Sequence, residues 1–205
     1  VLDRERVDSA EPGGRYETLL TPKEFDLRAS GVTPQSLTGV LYESIEAFKA
    51  KSYNDDMVRE GLNGGKFTSW RNSGKATVSK TNDGFGVAGR AGGLLTSDGD
   101  KIGFGLSGLT LVHEAVLVHL SAPVTSLDIR FGDVGGTDVG KVFMYDADGG
   151  YLGMRSFGAN SEIHDGISIQ AGDFDAAVKS FFVVPQTGNF TIQSVTVPEE
   201  QEVWV

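Results

Sequence analysis

The feature that most constrains this chain is a succession of short apolar runs with period two, each closed by glycine, aspartate or asparagine. Alternation appears in Ala76-Thr77-Val78-Ser79 and is sustained from Glu114 to Leu120, where Val116, Val118 and Leu120 share one face. It recurs where Leu127, Ile129 and Phe131 alternate with Asp128 and Arg130. Further runs lie at 141–145, 151–157, 167–169, 179–184 and 190–197, separated by Gly-Gly, Asp-Gly and Thr-Gly-Asn turns. Such runs put successive side chains on opposite faces of a sheet, and the turn residues supply the positive φ that hairpins need. At least seven strands with no helix between them predict an antiparallel sandwich rather than an open α/β sheet. The 28 glycines among 205 residues fall between these runs and read as turns.

The first 65 residues carry a different pattern. Residues 1–30 are polar and weakly periodic, so their order requires support from their own sandwich or from a neighbouring copy. Next, Thr33 can cap, Pro34 suits a first helical position, and Leu37, Leu41, Ile45 and Phe48 recur at helical spacing. This predicts a helix over about 34–51, packed on the sheet. The expected organisation is all-β: a jelly-roll-like antiparallel β-sandwich over 66–205, preceded by a 1–65 extension bearing that helix, together one structural domain.

Composition narrows the function classes. A formal net charge of -10 opposes binding to nucleic acid and to anionic lipid. The absence of cysteine excludes a disulfide framework, a thiolate zinc site and a cysteine nucleophile. No apolar run approaches the roughly 18 residues of a membrane span. The opening Val1, followed by Asp3-Arg4-Glu5-Arg6, is unlike a signal peptide, and a trimmed or excised chain is expected.

Three longer runs carry a resemblance. Trp70 to Val78 followed by Asn82 to Gly89, then His113 to Leu127, then Val142 to Gly153, resemble a β-sandwich domain of bacterial extracellular and matrix proteins. Tyr145-Asp146-Ala147-Asp148-Gly149 is similar to the tyrosine, aspartate, x, aspartate, glycine hairpin of that family. The resemblance spans roughly residues 66 to 197 and implies a jelly-roll fold, a secreted or cell-surface location and no fixed activity. Val197-Pro198-Glu199-Glu200 resembles the entrance to a C-terminal sorting signal, although Gln201 to Val205 holds neither a second proline nor an apolar helix.

Candidate sites follow from side-chain chemistry. Trp70, Tyr145, Tyr151 and Trp204 are candidate platforms for a sugar ring, set against a core role for the first three and, for Trp204 at the extreme end, burial on a docking surface. Asp133, Asp138, Asp146 and Asp148 are candidate oxygen ligands for calcium, set against ordinary hairpin turns. Asp98-Gly99-Asp100 has the same spacing. Gly84-x-Gly86-x-x-Gly89 matches the dinucleotide fingerprint in letters, but Arg90-Ala91-Gly92-Gly93 does not open a helix, so a loop between strands is expected. His113 and His119, six apart on one strand, lie about 20 Å from each other and cannot share a metal. The apolar tail Val203-Trp204-Val205 is a candidate assembly segment.

The functional expectation is a non-catalytic extracellular module that binds a polysaccharide or surface polymer, with calcium as the cation its loops would take. Two alternatives stand beside it. One is a structural subunit that polymerises by terminal strand exchange with copies of itself. The other is a polysaccharide-active hydrolase or lyase whose acidic residues sequence spacing does not single out.

Overall fold

The computed structural model describes residues 15–88, 100–107 and 110–204. Among these residues thirteen antiparallel strands form one connected sheet that folds into two facing layers. One layer has the order β11 (Gly166–Ile169), β8 (Leu127–Gly132), β13 (Asn189–Trp204), with β5 (Gly84–Val87) and β4 (Val78–Thr81) on the far side of β13. The other runs β10 (Tyr151–Gly158), β9 (Val139–Tyr145), β12 (Val178–Thr187), β7 (Thr110–Val124), β2 (Tyr42–Lys51), β3 (Lys75–Ala76). Strand β6 (Ile102–Ser107) pairs with both β7 and β13 and joins the layers. The fold is all-β with a small helical part, a sandwich-like arrangement consistent with a jelly roll. Among the described residues no helix is long and apolar enough to cross a membrane.

Two cores explain the sequence pattern. Between the layers, Val116, Val118 and Leu120 of β7 and Phe181 and Val183 of β12 meet Leu127, Ile129 and Phe131 of β8 and Phe190 and Ile192 of β13. On the opposite face of β7, β9 and β12, Leu117, Phe143, Tyr145 and Phe182 are covered by two short helices, α1 (Asp55–Arg59) and α2 (Gly65–Ser73). Strands buried on both faces have no polar side to show, which is why Phe181-Phe182-Val183-Val184 is continuously apolar.

The helix expected over 34–51 is corrected. The capping signal is real: Thr33 Oγ1 accepts the Ser36 N–H at 3.1 Å, and Ser36 Oγ accepts the Thr33 N–H at 2.9 Å. The turn stops after Gln35–Leu37, with Gly39 at φ +79° behind it, and residues 42–51 form β2. The apolar spacing that suggested a helix comes from a strand buried on both sides, with Tyr42 and Ala47 in the main core and Phe48 and Ala50 under the helices. Strand β1 (Tyr16–Asp26) and β2 are therefore integral to the sheets.

Glycines 84 and 86 of the dinucleotide-like run serve packing. A Cβ on Gly84 would stand 2.1 Å from the Ile192 carbonyl oxygen, and one on Gly86 2.0 Å from that of Asp100. Gly89 lies outside the described residues.

Candidate functional site: a terminal ribbon

Strand β13 pairs with β8 only through Thr196, whereas its pairing with β1 continues from Asp26↔Ser194 to Tyr16↔Trp204. Residues 16–23 and 197–204 thus form a two-stranded ribbon that runs beyond the sandwich for about 25 Å. Its register sorts the side chains into two faces. Phe25, Val195 and Val197 continue the core, and the same face then presents Thr21, Glu199, Leu19, Gln201, Glu17 and Val203. The opposite face presents Pro22, Pro198, Leu20, Glu200, Thr18, Glu202, Tyr16 and Trp204.

Both faces expose apolar side chains. Leu20 is 64% exposed, Leu19 47%, Tyr16 50% and Trp204 44%. At the tip, the Tyr16 and Trp204 rings meet edge to face, with centroids 5.0 Å apart and planes at 67°. Edge-on contact stabilises the pair and leaves ring faces open. Glu17, Glu24, Glu199, Glu200 and Glu202 outnumber the cations Arg15 and Lys23, and Lys23 pairs across the strands with Glu199. At the ribbon's root, Phe25, Val40, Leu120, Val124 and Val197 line a small recess of about 140 Å³.

The ladder phase determines what the ribbon edges offer. The Leu27 N–H donates to the Gln193 carbonyl at 2.9 Å, so odd-numbered residues of β1 exchange hydrogen bonds with β13 and even-numbered ones point their backbone groups outward. Pro22 and Pro198 oppose each other at an outward-pointing rung, and each removes an N–H from a free edge. Prolines and charges on an edge are devices that discourage strand addition.

Apart from Val203 and Trp204, the sequence-derived candidates fall elsewhere. Trp70, on α2, is 5% exposed and packs against Phe182 and Tyr53 at 6.0 and 5.7 Å between centroids. Tyr145 is fully buried; its hydroxyl donates to the Val58 carbonyl at 3.0 Å, and burial raises its pKa above the usual phenol range. Neither offers a ring face to a ligand, which corrects their reading as platforms. Tyr151 is half-buried against Tyr145 and Phe143. Trp204 and Val203 form the ribbon end, paired with this chain's own β1, and Val205 lies outside the described residues.

The four aspartates divide between the two ends of β9. Asp133 pairs with Lys101, and the Asp138 carboxylate accepts the Gly135 N–H at 2.8 Å. Beyond the other end of the strand, one Asp146 oxygen accepts the N–H groups of Asp148 and Gly150 at 2.9 and 2.7 Å, an aspartate-closed turn. Asp148 itself follows, its carbonyl accepting from Asn63 at 3.1 Å. Asp138 and Asp146, eight residues apart along an extended strand, are separated by about 25 Å. The two pairs cannot share one ion, and among the described residues no cluster of three or more metal-ligating side chains forms. Asp98 lies outside the described residues, and Asp100 adopts φ +77°.

One polar group was not singled out in the sequence. Ser180 Oγ stands 2.8 Å from His119 Nδ1, and His119 Nε2 stands 3.6 Å from Glu46 Oε2, side by side on β12, β7 and β2. Serine, histidine and glutamate are the types of a hydrolytic triad, but Ser180 is 1% exposed. A hydroxyl so enclosed is placed to satisfy the imidazole rather than to meet a substrate.

Comparison of the chain with protein-family models, with curated proteins and with solved structures returns no match.

Proposed function

We propose that this chain is a non-catalytic extracellular module that adheres to a polysaccharide or surface polymer through the tip of its terminal ribbon. The observation that carries the reading is the half-exposed Tyr16–Trp204 pair, held at the end of a ribbon with no other strand beside it among the described residues. Aromatic faces bury the apolar side of a sugar ring, and Glu200 and Glu202 on the same ribbon face are acceptors for its hydroxyls. The location outside the cell is an expectation that rests on the sequence resemblance of residues 66–197 alone.

The exposed Leu19 and Leu20 favour a second reading, association of copies through the ribbon. The excess of glutamates repels a second ribbon, and the opposed prolines blunt both edges against strand exchange. Polymer binding is therefore placed first.

The test is retention on insoluble cellulose, chitin and peptidoglycan, with Trp204→Ala and Tyr16→Ala beside the unaltered chain. Loss of one stacked ring is expected to weaken retention about tenfold, on the order of 1.4 kcal/mol. Light scattering on the same samples reports assembly. Equal retention of all three proteins removes the ribbon from the binding surface, and a concentration-dependent oligomer abolished by Trp204→Ala favours the second reading.

A further inference from the structure

Strand β7 changes neighbours along one edge. β12 pairs with it as far as Val183↔Val116, and β6 takes over at Phe104↔His113. At the same level the ladder between β12 and β9 breaks register between Pro185 and Thr187. Such a bulge bends a strand and re-aims its side chains. On the helix side, β2 ends at Lys51, Ser52 takes φ +60°, and Tyr53 packs against His113 and Trp70 with centroids 5.0 and 5.7 Å apart. The handover leaves a pocket of about 200 Å³ beside Tyr53 and His113, with Val184 and Pro185 as its apolar wall.

The charges that line this pocket cancel. Asp55 Oδ2 accepts from Lys141 Nζ at 2.5 Å, and Asp55 Oδ1 accepts from the Tyr53 hydroxyl at 3.1 Å. Burial, and then Asp55, raises the Tyr53 hydroxyl above the usual phenol range, and burial lowers the pKa of His113, so both rings are neutral at pH 7. The hydrogen-bonding capacity left over is of both senses. Asn54 engages only its oxygen, which accepts the Met57 N–H at 3.1 Å, and its amide N–H groups have no partner among the described residues. The Gln186 amide is exposed at the rim, and His113 Nδ1 is enclosed without a partner among the described residues. Each Asp55 oxygen keeps a second lone pair, and the Lys141 ammonium keeps further N–H groups.

We propose that this pocket binds one neutral sugar ring through a pair of adjacent hydroxyls. A hydroxyl donates and accepts at once, so the first donates to Asp55 while accepting from Asn54 or Lys141, and the second reaches Gln186. An anion meets Asp55 and a cation meets Lys141, so a charged guest is desolvated without gaining an open partner. A volume below the roughly 300–1,000 Å³ of clefts for drug-sized molecules limits the guest to a single small ring, with its apolar face toward Val184 and Pro185. From His113 to Leu120 in the recess at the ribbon root is about 23 Å along β7, so the pocket stands independently of polymer contact at Trp204.

The test uses the ¹⁵N-labelled full chain titrated with the methyl glycosides of glucose, galactose and mannose. At least one of them, in the millimolar range, is expected to shift the amides of residues 53–55, 141, 184 and 186 and the side-chain amides of Asn54 and Gln186. The cyclic diol trans-1,2-cyclohexanediol shifts the same peaks, and cyclohexanol, which lacks the second hydroxyl, does not. Asp55→Asn keeps an acceptor for Tyr53 but opens the ion pair, and it weakens glycoside binding at least tenfold; Gln186→Ala, at an exposed position, weakens it severalfold. Trp204→Ala leaves it unchanged. The proposal is overturned if all three glycosides leave these peaks in place in the high millimolar range, if glucosamine or glucuronate binds more tightly than the neutral glycosides, if cyclohexanol matches the diol, if Asp55→Asn and Gln186→Ala both bind as the unaltered chain does, or if Trp204→Ala abolishes the shifts.

Discussion

Replacing Glu114 with glutamine should change how stability depends on pH. Glu114 is 1% exposed on β7, facing the interior. One carboxylate oxygen accepts the Gly103 N–H at 3.0 Å, and the other lies 3.5 Å from Lys49 Nζ, close enough for attraction but too far for a good hydrogen bond. Burial dominates over Lys49 and Gly103, with Asp100 adding a smaller push in the same direction, and the carboxyl rises from 4.5 to about 7. A folded-state pKa above the unfolded value means that the protonated side chain is preferred in the fold. Its contribution is complete below pH 4.5 and is lost as pH rises through about 7. The full difference is worth about 3 kcal/mol at pH 8. His113, whose pKa burial lowers, works in the opposite direction, gaining stability as pH rises toward 6.5, but it is common to both proteins and cancels in their difference. Urea denaturation followed by circular dichroism at pH 5, 6, 7 and 8 should show Glu114→Gln gaining on the unaltered chain by about 2.5 kcal/mol across that span. A difference that stays flat with pH would refute the reasoning and imply that Glu114 is ionised and well paired with Lys49 throughout.

Two further substitutions test the placement of the sequence-derived candidates. Tyr145→Phe leaves the Val58 carbonyl without its buried donor and should cost about 1–2 kcal/mol in urea denaturation, with polymer retention unchanged; lost retention at full stability would return Tyr145 to the binding surface. Asp146→Ala removes the acceptor of two turn N–H groups and should destabilise by about 1–2 kcal/mol equally in calcium and in chelator, read by thermal melting. A loss confined to calcium-containing buffer would instead assign that carboxylate to a metal.

Much of the sandwich was legible because its strands obey local rules. The run from Glu114 to Leu120 and the Asp146–Gly150 turn are recognisable from alternation and turn chemistry alone. Strand β2 was not, because burial on both faces removes the alternation, and a genuine Thr33–Ser36 cap before it signals a helix that stops after one turn. The ribbon was half legible. Val203-Trp204 stood out as an apolar tail, yet Tyr16, Leu19 and Leu20 acquire meaning only from pairing with residues 180 or more positions away, which no local pattern encodes. The aromatic candidates failed for the converse reason: Trp70 and Tyr145 are the residue types of a sugar platform, and their enclosure depends on α1 and α2 folding over the outer face of the sheet.

The two tryptophans provide the most direct test of the ribbon as the binding surface, since Trp204 is half-exposed at the tip and Trp70 is enclosed under the helices. In a ¹H–¹⁵N spectrum each gives one indole N–H peak, assignable by Trp204→Phe. Titration with soluble oligosaccharides of whichever polymer retains the protein should move the Trp204 peak and leave that of Trp70 in place. Movement of the Trp70 peak with Trp204 unmoved would contradict the account and put the contact surface at the helices.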